Sequence, residues 1–235
     1  MITKICTETF DKPYASSLST YMRLDGYKSW ENIVKNKIPR TEIISQIKDS
    51  GLRGKGGAGF LTGLKWSFIP ATSNQQKYLV CNSDESEPGT CKDRDILRYN
   101  PHSIIEGMLI ASYAIGATVS YNYLRGEFVE DQWKIFNQAL NDAYEKNFVG
   151  KNILSSNINI DIYSLIGAGA YIVGEETAML ESIEGKRGMP RVKPPFPAIK
   201  GLYGKPTIIN NTETLATIPK IILNGPDWYK KLGLN

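Results

Sequence analysis

Stretches with apolar residues at helical spacing alternate along this chain with shorter runs of strand character. Thr41 to Ser50 sets Ile43, Ile44 and Ile47 on one stripe and stops at Gly51, which predicts a helix. Tyr78-Leu79-Val80-Cys81 is an apolar run between a lysine and turn residues, the signature of a buried strand. His102 to Ile115 predicts a helix with Ile104, Ile105, Met108, Leu109 and Ala111 inward; Asn100-Pro101 opens it, and His102 reads as a capping residue. Val119, Tyr121 and Tyr123 alternate with Ser120, Asn122 and Leu124 as a second strand, and Trp133, Phe136, Leu140 and Ala143 mark the helix after it. Ile158, Ile160 and Ile162 predict a third strand, Glu175 to Ile183 a helix ended by Gly185, Pro206 to Asn210 a further strand, and Glu213 to Leu223 a closing helix. The βαβ alternation predicts an α/β fold, Rossmann-like, with a mainly parallel sheet and helices on both faces. Between these elements, Lys186 to Pro197 carries Pro190, Pro194, Pro195 and Pro197 and is expected to run extended over the surface.

Composition narrows the class. The chain has 235 residues, 41% of them hydrophobic, which suits one large domain. A net charge of +4 is dispersed among carboxylates rather than gathered into a stripe, which argues against nucleic acid as a partner. No apolar run approaches the ~18 residues of a membrane span, and Met1 to Trp30 lacks a signal-peptide core, so a cytosolic chain is expected. Cys6, Cys81 and Cys91 share no metal-binding spacing and His102 is the single histidine, so neither a disulfide framework nor a zinc site is expected.

The candidate chemistry lies in the loops. Gly54-Lys55-Gly56-Gly57-Ala58-Gly59-Phe60 gives up backbone rigidity in a way that lets bare N–H groups approach a phosphate. It also satisfies G-x-G-x-x-G through Gly54, Gly56 and Gly59, but a helix precedes it where a dinucleotide fold has a strand. An acidic turn, Asp84-Glu85-Ser86-Glu87-Pro88-Gly89, hangs from the end of the first strand, where α/β sheets bind ligands. A second small-residue loop, Gly167-Ala168-Gly169-Ala170-Tyr171, follows the third strand. A ligand with one phosphate and many hydroxyls fits this set: glycine amides and Lys65 for phosphate, Asn82, Asp84 and Glu85 for ribityl hydroxyls. Flavin mononucleotide is such a ligand. Phe60, Phe68 and Phe196 offer stacking faces, though core packing is the better account of each taken singly, and Glu175 and Glu176 stand where a helix dipole alone would favour acids.

Arg53 to Phe60 with Thr62-Gly63-Leu64-Lys65-Trp66, Cys81 to Thr90 with Lys92-Asp93-Arg94, and Gly167 to Ala178 closely resemble the flavin-bearing, NADH-oxidising subunit of respiratory complex I. Arg191 to Pro197 and Asn210-Asn211-Thr212-Glu213-Thr214 extend the resemblance from about residue 40 to residue 235. Carried over residue by residue, it implies that Gly54, Lys55, Gly56, Gly57, Ala58, Gly59 and Lys65 hold the phosphate and ribityl of FMN. Asn82, Asp84, Glu85, Tyr171, Gly174, Glu175, Asn210, Asn211 and Thr214 would complete the flavin site. Phe60, Phe68, Glu87, Glu176, Lys193 and Phe196 would line the NADH side, with Glu87 as the catalytic residue. The implied activity is hydride transfer from NAD(H) to FMN, with electrons leaving singly toward iron–sulfur clusters and quinone.

The resemblance also carries departures. Lys55 stands where the family usually has arginine, Leu61 where proline is common and Val173 where cysteine is common. The family continues into a ubiquitin-like domain and a helical domain whose cysteines bind a 4Fe-4S cluster, and no such cysteine run occurs here, so no metal ligand is assigned. The expected division is residues 1–40 as an N-terminal extension and 41–235 as the FMN/NADH domain of a fragment, truncated product or split subunit. The implied partners are NADH and other peripheral-arm subunits, especially the 2Fe-2S-bearing one. The implied location is the cytoplasmic face of a bacterial inner membrane or the mitochondrial matrix side, with membrane contact only through the complex. The diaphorase subunit of an NAD-linked hydrogenase or formate dehydrogenase shares these motifs, and a non-catalytic remnant would keep them too.

Overall fold

The computed structural model describes residues 3–70 and 74–232. Within them, α1 (Leu18–Arg23), α2 (Lys28–Lys35), α3 (Arg40–Asp49) and α4 (Thr62–Ser67) lead into β1 (Tyr78–Ser83). Then come α5 (Lys92–Tyr99), α6 (Pro101–Ile115), β2 (Val119–Leu124), α7 (Gln132–Glu145) and β3 (Asp161–Ile166). The chain continues through α8 (Glu176–Ile183), α9 (Pro197–Lys200), β4 (Thr207–Asn211), α10 (Thr212–Asn224) and α11 (Pro226–Lys231).

All four strands are parallel, in the order β3-β2-β1-β4. The chain steps outward from β1 to β2 to β3 and then returns to the other side of β1 with β4. The order therefore reverses between β1 and β4, and a crevice opens there outside the carboxyl ends of the strands. Asn82 of β1 lies in register with Asn211 of β4 at that end. One face of the sheet, through Leu79, Cys81, Leu124, Ile162 and Ile208, joins the main core with α3, α6, α7 and α10. The other, through Val80, Tyr123 and Ile209, packs on Met179 and Leu180 of α8 with Val173 and Leu202. Helices thus cover both faces, unevenly.

The stretch expected as an extension supplies Tyr21, Tyr27, Trp30 and Ile33 to the main core. It is pinned there by Glu106 of α6, whose buried carboxylate accepts from Tyr21 Oη at 2.6 Å, Tyr27 N at 2.8 Å and Trp30 N at 3.1 Å. Burial pushes that carboxyl up to about 7. His102 is not a cap. Its ring is buried against Tyr21 and Tyr27, Nδ1 lies 3.0 Å from Tyr27 Oη, and desolvation lowers it to about 3, so it is a neutral core residue. The third strand also shifts: Ile160 forms an antiparallel bridge with Gly150, and β3 starts one residue later, so the isoleucine alternation belongs partly to a turn. Residues 186–196 run irregularly, anchored by Arg191, whose guanidinium binds Glu181, Glu184 and the Gly201 carbonyl.

α6 is buried along almost its whole length, and the site depends on how closely α10 approaches it. At Gly107 a Cβ would lie 2.0 Å from the Leu215 carbonyl oxygen, a backbone atom that cannot rotate aside. Gly107→Ala is therefore expected to force α10 away from α6 and destabilise the fold by about 3 kcal/mol. Urea unfolding measures this; an unchanged midpoint would show that the two helices separate freely.

Candidate functional site

The crevice between β1 and β4 is lined by the loops whose composition marks them in the sequence. The glycine loop is closed at its base by an antiparallel bridge between Arg53 and Leu61, Gly54 N donating to Phe60 O at 2.8 Å. Its tip is held from below, where Lys55 N donates to Thr214 Oγ1 at 2.9 Å. Gly57 and Gly59 have φ of 110° and 63°, backbone that favours glycine. Gly56 lies so near the end of β4 that a Cβ would sit 3.3 Å from Asn211 Cβ. Among the described residues the amides of Gly56, Gly57, Ala58 and Gly59 make no hydrogen bond of good geometry, and this arc of donors is exposed or half-exposed.

Opposite stands the acidic turn. Asp84 N donates to Asn82 Oδ1 at 3.1 Å, and Asp84 Oδ2 accepts from Ser86 Oγ at 2.9 Å. Asp84 Oδ1 is buried with no hydrogen-bond partner among the described residues, and burial raises this carboxyl above its usual range. Asn82 Nδ2 donates to the Gly174 carbonyl at 2.9 Å, tying the third loop to β1. A Cβ at Gly174 would stand 3.3 Å from Asp84 Oδ2, so the third loop approaches the acidic turn closely. Gly56, Asp84, Ser86, Glu87, Tyr171, Ile172, Gly174 and Glu175 enclose a cleft of about 320 Å³. A larger cleft of about 430 Å³ between α2 and the end of α10 contains none of the motif residues.

An ion-pair group flanks the cleft. Glu176 takes Lys65 Nζ at 3.2 Å on one oxygen and Lys193 Nζ at 2.9 Å on the other. Burial opposes its ionisation, but the two ammonium groups outweigh it and hold the carboxyl below the usual glutamate range. Lys65 also donates to the Ile209 carbonyl at 2.8 Å, and Lys193 reaches Glu175 at 3.1 Å. Tyr171 Oη donates to Glu87 Oε2 at 2.5 Å. Phe60 and Phe68 form a tilted, exposed ring pair 6.2 Å apart, and Phe196 is exposed outside that pair.

Several residues expected to face the ligand are committed elsewhere. Glu85 accepts from Asp93 N at 2.8 Å and Arg94 N at 2.9 Å, so both oxygens cap the first turn of α5. Asn210 Oδ1 accepts from Trp66 Nε1 at 2.9 Å, and Asn211 Oδ1 caps α10 through Glu213 N and Thr214 N. Glu175 Oε2 caps α8 through Thr177 N and Ala178 N. Of these four, Glu175 is the one that also lines the cleft. Ser86 and Arg125, to which the sequence assigned nothing, support the acidic turn, Arg125 Nη1 donating to Glu85 O at 2.8 Å. Arg125 follows a strand end, which is the one signal that could have marked it.

The arrangement suits a ligand with a phosphate at one end and hydroxyl donors along its length. The glycine amides are free donors for the former, and the orphaned Asp84 oxygen is a free acceptor for the latter.

Comparison with known proteins points the same way. The family described as the Nuo51 FMN-binding domain matches residues 47–220. An NADH-quinone oxidoreductase subunit of Rickettsia bellii (strain OSU 85-389) is 60% identical over 191 residues, covering 81% of this chain and 46% of that protein. The equivalent protein of Mycobacterium bovis is 49% identical over 237 residues, covering 99% of this chain and 53% of its own length. The chain thus spans about half the length of these curated relatives. The crystal structure of an NAD+-reducing [NiFe]-hydrogenase in the H2-reduced state superposes with a TM-score of 0.78 at 34% identity, covering 97% of this chain and 36% of that one.

The Glu176 ion pairs carry a pH dependence of defined sign. A carboxyl held below its unfolded pKa contributes stability above that unfolded value, and the contribution is lost as pH falls through the folded pKa. Glu176→Gln is expected to cost about 1 kcal/mol or less at neutral pH, the pairs being partly solvated, and less at an acid pH well below the usual glutamate range. Urea unfolding at both pH values checks this, and a deficit that persists in acid would contradict the pairing.

Proposed function

Because the chain belongs to the Nuo51 FMN-binding domain family, we propose that it performs hydride transfer from NADH to FMN as the NADH-oxidising module of an NADH-quinone oxidoreductase. The observation that carries this proposal is the pairing, across one crevice, of open glycine amides with the buried, unpartnered Asp84 Oδ1. Bound flavin supplies a two-electron acceptor that releases electrons one at a time. The chain's own residues hold and orient. The amides of Gly56 to Gly59 with Lys65 bind phosphate, Asp84 accepts from ribityl hydroxyls, and the Asn82–Gly174 bond keeps the opposite wall at fixed distance.

On the nucleotide side, Phe60, Phe68 and Phe196 offer exposed rings to adenine, and Glu87, steadied by Tyr171, orients the dihydronicotinamide. Glu176 accepts from ribose hydroxyls, a task for which its ionised state suits it, and it repels the additional phosphate of NADPH. Lys193 and Lys65 keep that carboxylate in place and charged.

Beyond this domain, the reading extends to a 4Fe-4S cluster on the remainder of such a subunit, to a 2Fe-2S-bearing neighbour, and to a place on the peripheral arm at the cytoplasmic or matrix side of a membrane. Among the described residues no histidine, cysteine and carboxylate group is arranged for a metal, and no helix is long and apolar enough to cross a membrane. The hydrogenase diaphorase is the second reading, supported by the structural similarity at 34% identity; the first is favoured by the 60% identity to a protein of NADH-quinone oxidoreductase.

Two measurements test the proposal. Flavin released from the reconstituted chain is expected to chromatograph as FMN, since the glycine loop with Lys65 suits one terminal phosphate; recovery of FAD, or of no flavin, contradicts it. Glu176→Ala is expected to weaken NADH and relax discrimination against NADPH by about 1–3 kcal/mol, read from flavin reduction rates with both nucleotides. An unaltered ratio would reduce Glu176 to a helix-dipole acid.

A further inference from the structure

Behind the glycine loop lies a polar bracket, buried at its centre, whose residues are not among those enclosing the cleft. Its centre is Asp93, in the first turn of α5 and 3% exposed. Asp93 Oδ2 accepts from Asn211 Nδ2 at 2.7 Å, and Oδ1 accepts from Lys92 Nζ at 2.8 Å and Glu213 N at 3.2 Å. Every hydrogen-bond partner of this carboxylate is a donor. Asn211 is thereby fixed in one amide orientation, its Oδ1 taking Glu213 N at 3.0 Å, Thr214 N at 3.4 Å and Lys92 Nζ at 3.2 Å. Thr214, placed by that first turn of α10, accepts the Lys55 amide of the glycine loop. Glu213 spans the same gap by charge, reaching Lys92 at 3.2 Å and Lys55 at 3.4 Å. The loop is therefore held through one continuous chain of bonds running from Asp93 through Asn211 and the start of α10 to Thr214.

We propose that Asp93 is a positioning residue for the flavin, setting the glycine loop against the end of β4 through Asn211 and Thr214 without touching the ligand. The proposal rests on the flavin reading of the cleft. An aspartate is required because three donors converge on its two oxygens. An amide offers one acceptor atom, so an asparagine in its place would set its own NH2 against Asn211 Nδ2 or against Lys92 and Glu213 N. Glu85, capping the same turn through Asp93 N and Arg94 N, holds the backbone from which the Asp93 side chain projects.

The test is titration of the full chain with FMN, followed by quenching of flavin fluorescence, together with amide exchange at Lys55 in the flavin-free protein. Asp93→Asn is expected to weaken FMN about tenfold, to deprotect the Lys55 amide, and to move the melting temperature by no more than about 4 °C. Thr214→Val, which removes the last link, is expected to do the same, and the double variant to be no worse than either single one. Wild-type affinity in Asp93→Asn, or losses that add in the double variant, would overturn the proposal. If Asp93→Asn does not fold, Thr214→Val decides: retained FMN affinity or a protected Lys55 amide overturns it. Failure of the wild-type chain to bind FMN would instead refute the flavin reading itself.

Discussion

The first turn of α10 must find acceptors for amides that no helical carbonyl can reach, and much of the crevice follows from how that need is met. Asn211 supplies one oxygen to two of those amides and in turn needs an acceptor for its own NH2. Asp93 provides it, and this places a buried carboxylate between two chain segments distant in sequence. Burial pushes that carboxyl up to about 6 against the pull of Lys92 and Asn211, so the arrangement opposes the intrinsic preference of the group for water. The glycine loop, poor in side chains, is tied to this bracket by the Lys55 amide and by the Lys55–Glu213 ion pair. Polar satisfaction behind the site thus leaves the remaining loop amides open in front of it.

Packing makes that geometry reproducible. α10 can present its N-terminus beside β1 only because Gly107 allows its backbone onto α6, and α6 is itself clamped to the N-terminal helices by Glu106. The reversal of strand order at β1 then guarantees that the end of β4, the acidic turn and the third loop converge. Side chains that look like ligand groups by type split into two populations. Glu85, Glu175, Asn210 and Asn211 commit their bonds to helix starts and to Trp66, while Asp84, Glu87 and Glu176 face the cleft and its rim.

That split marks where the sequence stops being legible. Helical stripes and apolar runs located α3, α6, α7, α8 and α10 to within a residue or two, because burial imposes its period directly. β1 runs past its apolar stretch to Ser83, since Ser83 Oγ is satisfied inside the sheet by Asn122 and Thr212 at 2.7 Å each, a pairing between residues far apart in sequence. α1 leaves little such trace, whereas α2 carries a stripe of Trp30, Ile33 and Val34 that went unread; Tyr21, Tyr27 and Trp30 are held by a carboxylate some eighty residues on. The glycine loop was legible because few other contexts tolerate such a run. Which carboxylates cap helices and which face a ligand was not, because composition shows that a group will be bonded and leaves its partner open.

The central claim is that the open amides of Gly56 to Gly59 form the phosphate end of a flavin site whose other end is Asp84. Comparing the affinity of the chain for FMN and for riboflavin isolates the phosphate alone. Charge-assisted hydrogen bonds to the loop predict that FMN binds about 100-fold more tightly, two such bonds contributing about 3 kcal/mol. Equal affinity for the two flavins would contradict the account.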